Sequence, residues 1–256
     1  MELIVIGAGP AYTDRRGAAS ASYLVRSGAG AAGAASGDLL LDLGQGAFPN
    51  LASTIEPSTL TAVLVSHLHP DHFIDLVPLR HYLKWEFDPP RRVAVFGPAG
   101  LAERLNSVNG DPGFAMASLD VGHLAAGAHA IGPFVVEARP VHHNGESFGM
   151  RVTLAGSTAP GLVYSGDCGR ADDLIPLIHP GDTLLCEASF GAGRVPPGAE
   201  HLTASEAGRI ATAGGAARLL VTHIQMGYAR SDALAAASSV FAGQIQLVTE
   251  GDRFEV

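Results

Sequence analysis

The sequence predicts an α/β fold in which two β-sheets lie between layers of helices, within a single domain of residues 1–256. Ten short apolar runs are rich in residues that favour strands. Most of these runs are continuous rather than alternating, as expected for strands covered on both faces. The early runs come with few helical patterns and the later ones alternate with helices. This order indicates two sheets with helices on their outer faces.

The predicted elements follow from these runs and from helical spacing of apolar residues. The predicted strands are residues 3–6, 39–43, 62–65, 93–96, 134–138, 150–154, 162–164, 183–186, 219–222 and 245–248. The predicted helices are residues 74–85, 101–105, 203–213 and 231–241. The third helix has the best-defined start, because Thr203 and Glu206 stand three positions apart as in a capping box.

Three loops have distinctive compositions. Residues 27–37 are almost entirely Gly, Ala and Ser, which predicts a hairpin tip or a floppy loop. Residues 106–113 and 191–200 are rich in Gly and Pro. Both are long enough to act as lids over a site.

Composition excludes several classes of protein. Hydrophobic residues at 47% and charged residues at 16% are typical of a globular chain, neither disordered nor fibrous. The formal net charge of -9 argues against a surface that coats nucleic acid, so any recognition of anions must be local. Two cysteines argue against a disulfide framework. The first residues do not resemble a signal peptide and no apolar run reaches the roughly 18 residues of a membrane span, so a cytoplasmic location without a membrane partner is expected.

A histidine-rich segment, SHLHPDH at residues 66–72, follows directly on a predicted strand. His67 and His69 are two positions apart, so in an extended segment both imidazoles project to the same side. Asp71 and His72 fall where the chain turns into the next helix and can face a neighbouring point. The segment therefore predicts two pairs of ligands aimed at two adjacent metal ions.

Other residues that bind metals also follow predicted strands. They are the pair His142 and His143, then Asp167, then His223. Ligands in α/β folds gather at the carboxyl edges of strands, so these segments are expected to converge there. The first metal would be held by His67, His69 and one of His142 and His143, the second by Asp71, His72 and His223, with Asp167 bridging. Imidazole and carboxylate donors favour two Zn²⁺ ions, with Mn²⁺ or Fe²⁺ as alternatives.

This ligand set resembles that of the metallo-β-lactamase superfamily of binuclear hydrolases, whose HxHxDH motif stands here as HLHPDH. The resemblance spans nearly the whole chain and is greatest for the phosphodiesterase branch, which includes the tRNA 3′-processing endonuclease and short cyclic-nucleotide phosphodiesterases. Its other motifs are HHNGESFGMRV at 142–152, YSGDCG at 164–169, CEAS at 186–189, HLT at 201–203 and THI at 222–224. It implies an αββα sandwich of two mostly antiparallel or mixed sheets, and a homodimer as the expected assembly.

The resemblance also implies roles for individual residues. The ligand histidine in such enzymes stands five residues before an aromatic-Gly pair, which selects His143 over His142. The candidate catalytic residues are Asp71, His201 and Glu187. Glu187 would orient His201, which would donate a proton to the leaving alkoxide.

Charge explains how an acidic protein could bind an anionic phosphodiester. Two divalent ions, two ligand carboxylates and a bridging hydroxide leave a local excess of about one positive charge. The ions would lower the pKa of the shared water to around 7, bind a phosphate oxygen and orient in-line attack. A small phosphodiester, such as a cyclic nucleotide, is therefore the expected substrate.

Three other functions remain open. A tRNA 3′-processing endonuclease of the ribonuclease Z type would act on RNA, but by resemblance it should carry a long arm between the residues that correspond to His143 and Asp167. These stand only 24 positions apart here. Hydrolysis of a lactone or a thioester would keep the ligands but leave the pair of Glu187 and His201 unexplained. A non-catalytic metal-binding or scaffold protein on a retired enzyme fold is the third alternative, and the complete ligand set argues against it.

Two further patterns are set aside. The GESFG sequence at 145–149 matches the GxSxG motif of serine hydrolases, but a predicted strand follows it where that motif needs a helix. Cys168 and Cys186 each adjoin a proposed functional carboxylate. Because adjacent residues of a strand point to opposite faces, both thiols are expected to be buried.

Overall fold

Two seven-stranded sheets form the centre of the structure, a computed structural model that describes residues 1–28 and 36–256. The strands of the first sheet are β1 (Glu2–Gly7), β2 (Ser22–Arg26), β3 (Asp38–Leu41), β4 (Ala62–Leu64), β5 (Val93–Gly97), β6 (Leu119–His123) and β14 (Arg253–Glu255). Those of the second sheet are β7 (Gly127–Ile131), β8 (Phe134–Pro140), β9 (Phe148–Leu154), β10 (Leu162–Tyr164), β11 (Thr183–Glu187), β12 (Arg218–Thr222) and β13 (Gln244–Leu247).

Both sheets are mixed. The first has the order β14-β1-β2-β3-β4-β5-β6, in which β3 to β6 are parallel and the remaining pairs are antiparallel. The second has the order β13-β12-β11-β10-β9-β8-β7, in which β10 to β13 are parallel and β7 to β10 form an antiparallel meander. Each sheet therefore has a block of parallel strands whose carboxyl ends share one edge, which is where ligands gather in such folds.

Helices cover the outer faces of the two sheets. They are α1 (Phe48–Thr54), α2 (Pro70–Phe73), α3 (Leu76–Trp85), α4 (Leu101–Asn109), α5 (Ala204–Gly214) and α6 (Arg230–Ser238). The predicted capping box is present at the start of α5, where Thr203 accepts a hydrogen bond from the Glu206 backbone and the Glu206 side chain accepts one in return. Among the described residues, no helix is both long and apolar enough to cross a bilayer.

Three apolar layers hold these elements together. The inner layer lies between the sheets and includes Leu3, Tyr23 and Phe134, all fully buried. A second layer packs the first sheet against α1 to α4, and a third packs the second sheet against α5 and α6. This arrangement is the αββα sandwich that the sequence predicts. Continuous apolar strands such as β4 and β11 are buried along their whole length, because helices cover one face and the other sheet covers the second.

Several element predictions need correction. Strands β2, β6, β7 and β14 and helix α1 were not predicted, and the predicted helix over 74–85 is preceded by the separate short helix α2. The predicted loop over 106–113 is partly wrong, because α4 continues to Asn109 and ends there at Gly110, whose φ of 69° suits glycine. The predicted hairpin tip over 27–37 has antiparallel flanks, β2 and β3, but residues 29–35 lie outside the described part of the chain.

Candidate metal centre

Seven side chains from four segments meet at the shared carboxyl edge of the two sheets. Their positions follow from strand ends: the segment 66–72 comes after β4, His143 after β8, Asp167 after β10 and His223 directly after β12. Residues brought together in this way are distant in sequence but close in space. They form two groups, in each of which the possible ligand atoms lie within 4.8 Å of one another, and Asp167 and His223 form a third such group with His201.

The first group contains His67, His69, His143 and Asp167. His69 Nδ1 lies 3.0 Å from His67 Nε2 and 3.2 Å from His143 Nε2. Asp167 Oδ2 lies 3.7 Å from His67 Nε2 and 3.9 Å from His143 Nε2. Three imidazole nitrogens and one carboxylate oxygen thus face a common point, which matches the donor set that Zn²⁺ prefers.

The second group contains Asp71, His72 and His223. Asp71 Oδ2 lies 3.3 Å from His223 Nε2 and 3.7 Å from His72 Nε2. Asp167 Oδ2 also lies 3.4 Å from His72 Nε2, so one carboxylate faces both groups. Asp167 thus lies between the two groups, and its role as a bridging ligand stays a prediction.

The unpaired polar atoms of the two groups fit a bound cation. Within the described residues, His72 Nε2 and Asp167 Oδ1 are buried and have no hydrogen-bond partner. Burying a polar atom without a partner costs about 1 to 3 kcal/mol, and here the two atoms lie side by side with further donor atoms around them. Facing imidazole nitrogens and carboxylates can all be satisfied at once by divalent ions. The residues therefore fit the metal ions that the sequence predicts.

The second nitrogen of each buried imidazole is held by a neighbouring group. His143 Nδ1 donates to the Glu200 carbonyl at 2.8 Å, and His67 Nδ1 lies 3.1 Å from the Ser66 hydroxyl. His72 Nδ1 lies 2.7 Å from an Asp42 carboxylate oxygen. Such contacts fix the orientation of a ring and leave its other nitrogen free for a metal, as is usual for histidine ligands.

Asp42 is a functional residue that the sequence analysis missed. Its fully buried carboxylate accepts hydrogen bonds from the Ser66 backbone at 2.6 Å, the Ser66 hydroxyl at 2.7 Å and the Tyr164 hydroxyl at 2.6 Å, in addition to His72. A charged residue directly after the apolar run of β3 is a signal that could have identified it, because an aspartate is rarely fully buried without partners.

Asp42 and His223 also share an unusual backbone conformation. Their φ angles are 59° and 56°, and among the described residues they are the non-glycine residues with positive φ. Such a conformation costs on the order of 1 to 3 kcal/mol and is concentrated at functional sites. Both residues follow directly on a strand, so the conformation turns the chain at the edge where the site lies.

Burial and neighbouring carboxylates have opposite effects on these groups, and burial prevails at His67 and His69, whose pKa values it lowers. Burial alone would raise the pKa of Asp71, but the hydrogen bond to His223 and the charge of His72 lower it to about 2. Burial disfavours a charged His72, but the charges of Asp167 and Asp42 outweigh this effect and raise its pKa. The carboxylates therefore favour positive charge among these side chains, whether protons or cations supply it.

A second feature, the pair of Glu187 and His201, lies beside the clustered ligands. His201 Nδ1 is 3.0 Å from Glu187 Oε1 and 3.7 Å from Asp167 Oδ2. The buried Glu187 carboxylate also accepts hydrogen bonds from the Cys168 backbone and from Ser189. Burial disfavours the imidazolium form of His201, but the hydrogen bond and charge of Glu187 outweigh it and raise the pKa of His201 to about 9. The ring is therefore held in place and kept protonated at neutral pH.

The remaining candidates lie outside the cluster. His142 is half exposed, and its Nε2 lies 3.2 Å from the Glu200 carboxylate. Cys168 and Cys186 are both buried, as predicted, and burial raises the pKa of Cys168 to about 12. Their thiols are therefore protonated at neutral pH and unreactive. Of the two adjacent histidines, the structure thus brings His143 and not His142 to the other candidate ligands.

Comparisons with known proteins agree with this geometry. A sequence model of the beta-lactamase superfamily domain matches residues 38–224. An uncharacterised protein of Mycobacterium leprae is 33% identical over 226 residues, which cover 85% of this chain and 78% of that protein. The probable metallo-hydrolase YhfI of Bacillus subtilis is 28% identical over 225 residues, covering 84% and 88% of the two chains. The ribonuclease Z of Salinispora arenicola is 29% identical over 263 residues, covering 83% and 84%.

Solved structures show the same architecture. The crystal structure of YhfI, described as a metallo-beta-lactamase fold protein, superposes with a TM-score of 0.85 and 25% identity over 99% of both chains. A diphosphatase from the PhnP family superposes with a TM-score of 0.74 and 19% identity, over 100% of this chain and 97% of its own. The fold is therefore shared along nearly the entire length of these proteins.

Proposed function

The chain belongs to the metallo-β-lactamase superfamily, and from this premise we propose that it is a metal-dependent phosphodiesterase acting on a small substrate such as a cyclic nucleotide. The observation that carries the proposal is the hydrogen bond between Glu187 and His201 beside the candidate ligands. Cleavage of a phosphodiester expels an alkoxide, which is a strong base and needs a proton as it leaves. A histidine held by a buried carboxylate supplies that proton.

We propose that two divalent cations complete the site. One would be held by His67, His69 and His143, the other by Asp71, His72 and His223, with Asp167 shared. When bound, such ions polarise the phosphate and lower the pKa of a water molecule to around 7. The imidazole and carboxylate donors favour Zn²⁺, with Mn²⁺ and Fe²⁺ as alternatives.

The protein side chains have three tasks in this mechanism. Asp42 and the other outer partners hold the ligand histidines in fixed orientations. Glu187 accepts the Nδ1 hydrogen of His201, which leaves the Nε2 hydrogen for the substrate. The side chain of His201 is 19% exposed, so a bound substrate can reach it. General acid catalysis of this kind contributes roughly 10² to 10⁴ in rate.

A ribonuclease Z activity is the second candidate, since a ribonuclease Z is among the relatives. The chain between His143 and Asp167 argues against it, because β9, β10 and their short connections fill this segment. The long arm that the resemblance implies for binding tRNA has no room there. The net charge of -9 does not favour binding of a large RNA either.

The proposal is tested by presenting the purified, zinc-loaded protein with a panel of substrates. The panel contains 3′,5′-cyclic AMP, 2′,3′-cyclic nucleotides, bis-p-nitrophenyl phosphate, a precursor tRNA, a lactone and a thioester. We expect the small phosphodiesters to be cleaved. Cleavage of the tRNA alone would favour the ribonuclease Z candidate, and cleavage of only the lactone or thioester would overturn the phosphodiesterase assignment.

A further inference from the structure

The hydroxyl of Ser189 connects the proton-donating pair with one of the candidate metal ligands. Ser189 is fully buried, and its Oγ lies 2.7 Å from Glu187 Oε2 and 3.1 Å from His223 Nδ1. We propose that Ser189 is a positioning residue that fixes the hydrogen of the His223 ring on Nδ1 and so presents Nε2 to a cation. This inference rests on the proposed function, because it takes His223 as a ligand of the second metal.

The direction of the two hydrogen bonds follows from the number of hydrogens. A carboxylate can only accept, so the single hydrogen of the Ser189 hydroxyl is donated to Glu187. The hydroxyl oxygen, which also lies 3.3 Å from His201 Nδ1, is then an acceptor toward both rings, so its 3.1 Å contact with the His223 ring requires a hydrogen on Nδ1. With a cation bound, a neutral ring would keep its one hydrogen on Nδ1, and the Nε2 lone pair would face the cation in place of the hydrogen bond that Nε2 donates to Asp71. That nitrogen lies 3.3 Å from Asp71 Oδ2, within the second group of candidate ligands.

The backbone of Ser189 is fixed as firmly as its side chain. Its amide donates to Glu187 Oε2 at 3.0 Å, and its carbonyl accepts from the Gln225 amide at 3.1 Å. The hydroxyl therefore has little freedom to move away from either partner. Glu187 Oε1, the other oxygen of the same carboxylate, accepts from His201 at 3.0 Å. One buried carboxylate thus orients His201 directly and His223 through Ser189.

Ser189 could either fill space only or also fix the hydrogen of the His223 ring on Nδ1. Paired variants separate these two roles. Ser189→Ala removes the hydroxyl, whereas Ser189→Thr keeps it. Ser118→Ala is the matched control, because Ser118 is also fully buried but its hydroxyl has no hydrogen-bond partner within the described residues. The Glu187 carboxylate remains hydrogen-bonded by backbone amides in Ser189→Ala, so the fold should tolerate this change.

The experiment measures zinc affinity and the ring hydrogen of His223. Zinc binding is titrated against a competing chelator, and ring N–H signals are recorded by ¹⁵N-resolved NMR on the zinc-loaded protein. We expect Ser189→Ala to lose about 10- to 100-fold in affinity for one of two zinc ions, the usual effect of removing an outer partner of a ligand. We expect its His223 Nδ1–H signal to shift or broaden. Ser189→Thr should retain wild-type affinity and signal, as should Ser118→Ala.

The outcomes separate this inference from the proposed function. If the wild-type protein binds two zinc ions and Ser189→Ala binds both equally well, the inference alone fails. It also fails if zinc-loaded wild-type protein carries the His223 hydrogen on Nε2, or if Ser189→Thr loses as much affinity as Ser189→Ala. If the wild-type protein binds no divalent metal, the proposed function fails and the inference fails with it.

Discussion

Replacement of His201 by alanine tests the division of labour within the site. The His201 ring donates through Nδ1 to Glu187 at 3.0 Å, so this nitrogen already has a carboxylate partner. We therefore expect His201→Ala to remove the proton donor and to leave the metal ions in place. A general acid contributes roughly 10² to 10⁴ in rate, which corresponds to about 3 to 5 kcal/mol of the activation barrier.

Two substrates make the expected loss specific to proton donation. A cyclic nucleotide releases an alkoxide, whereas bis-p-nitrophenyl phosphate releases a weakly basic phenolate that needs little protonation. The full loss in kcat is therefore expected with the cyclic nucleotide and a much smaller one with the nitrophenyl ester. Metal content is measured on the same samples by elemental analysis. His142→Ala is the control, because this half-exposed histidine pairs with Glu200 and lies outside the cluster.

Three results would contradict this reasoning. Equal losses with both substrates would show that His201 does not protonate the leaving group. A comparable loss in His142→Ala would show that the effect is not specific to the site. Loss of metal from His201→Ala would indicate that His201 is a ligand, an arrangement that its approach to Asp167 and His223 would permit.

Other perturbations address pH, metal and stability. The hydrogen bond and charge of Glu187 raise the pKa of His201 to about 9. Glu187→Gln should therefore lower that pKa and move the alkaline limb of the pH–rate profile to lower pH. An alkaline limb that does not move would refute this role of Glu187. Chelation should lower the melting temperature of the protein. Zinc at 100 times its Kd should add back about 2.7 kcal/mol to the free energy of unfolding, and identical melting curves with and without zinc would argue against a metal site. Asp182→Asn should cost about 1 to 3 kcal/mol of the free energy of unfolding at neutral pH, because it removes the charge of the buried Asp182 from its pair with the partly exposed Arg151. Burial would raise the pKa of Asp182, but its hydrogen bonds lower that pKa in the folded state. The carboxylate therefore stabilises the folded protein at pH values above its ordinary pKa of about 4. This contribution is lost as the pH falls through the lower pKa of the folded state. Urea unfolding should therefore show the difference between wild type and variant shrinking in acid, and a constant difference would refute the assignment.

The sequence predicts the covered strands of the fold better than its edges. Strands such as β4 and β11 are continuous apolar runs because both of their faces are buried. Of the four strands that were missed, β6, β7 and β14 lie at the edges of their sheets and are at least partly exposed, whereas β2 is a buried inner strand. An exposed edge strand needs no apolar pattern, since its backbone hydrogen bonds to a single neighbour hold it in place. Composition alone therefore cannot identify such strands.

The site shows a similar division between ligands and their supports. The segment 66–72 places four candidate ligands within six positions, a spacing that is visible without a structure. Asp42 acts on His72 and Tyr164, which stand 30 and 122 positions away, so its role depends on contacts that only the fold creates. Ser189 lies in the same CEAS motif as Glu187, but its contact with His223 follows from the pairing of β11 with β12. Sequence patterns thus indicate which atoms could bind metal and not which atoms orient them.

The backbone conformation explains why certain residue types stand at two of these positions. Asp42 and His223 both adopt a positive φ directly after a strand, which reverses the chain and keeps each side chain at the sheet edge. Glycine would adopt this conformation at lower cost but would supply neither a carboxylate nor an imidazole. Aspartate and histidine are among the non-glycine residues that tolerate it best, while β-branched residues do not. Each position therefore satisfies a backbone requirement and a chemical requirement at once. The cost of the positive φ is offset at Asp42 by four hydrogen bonds to its carboxylate. At His223 it is offset by the contacts of the ring with Ser189 and Asp71.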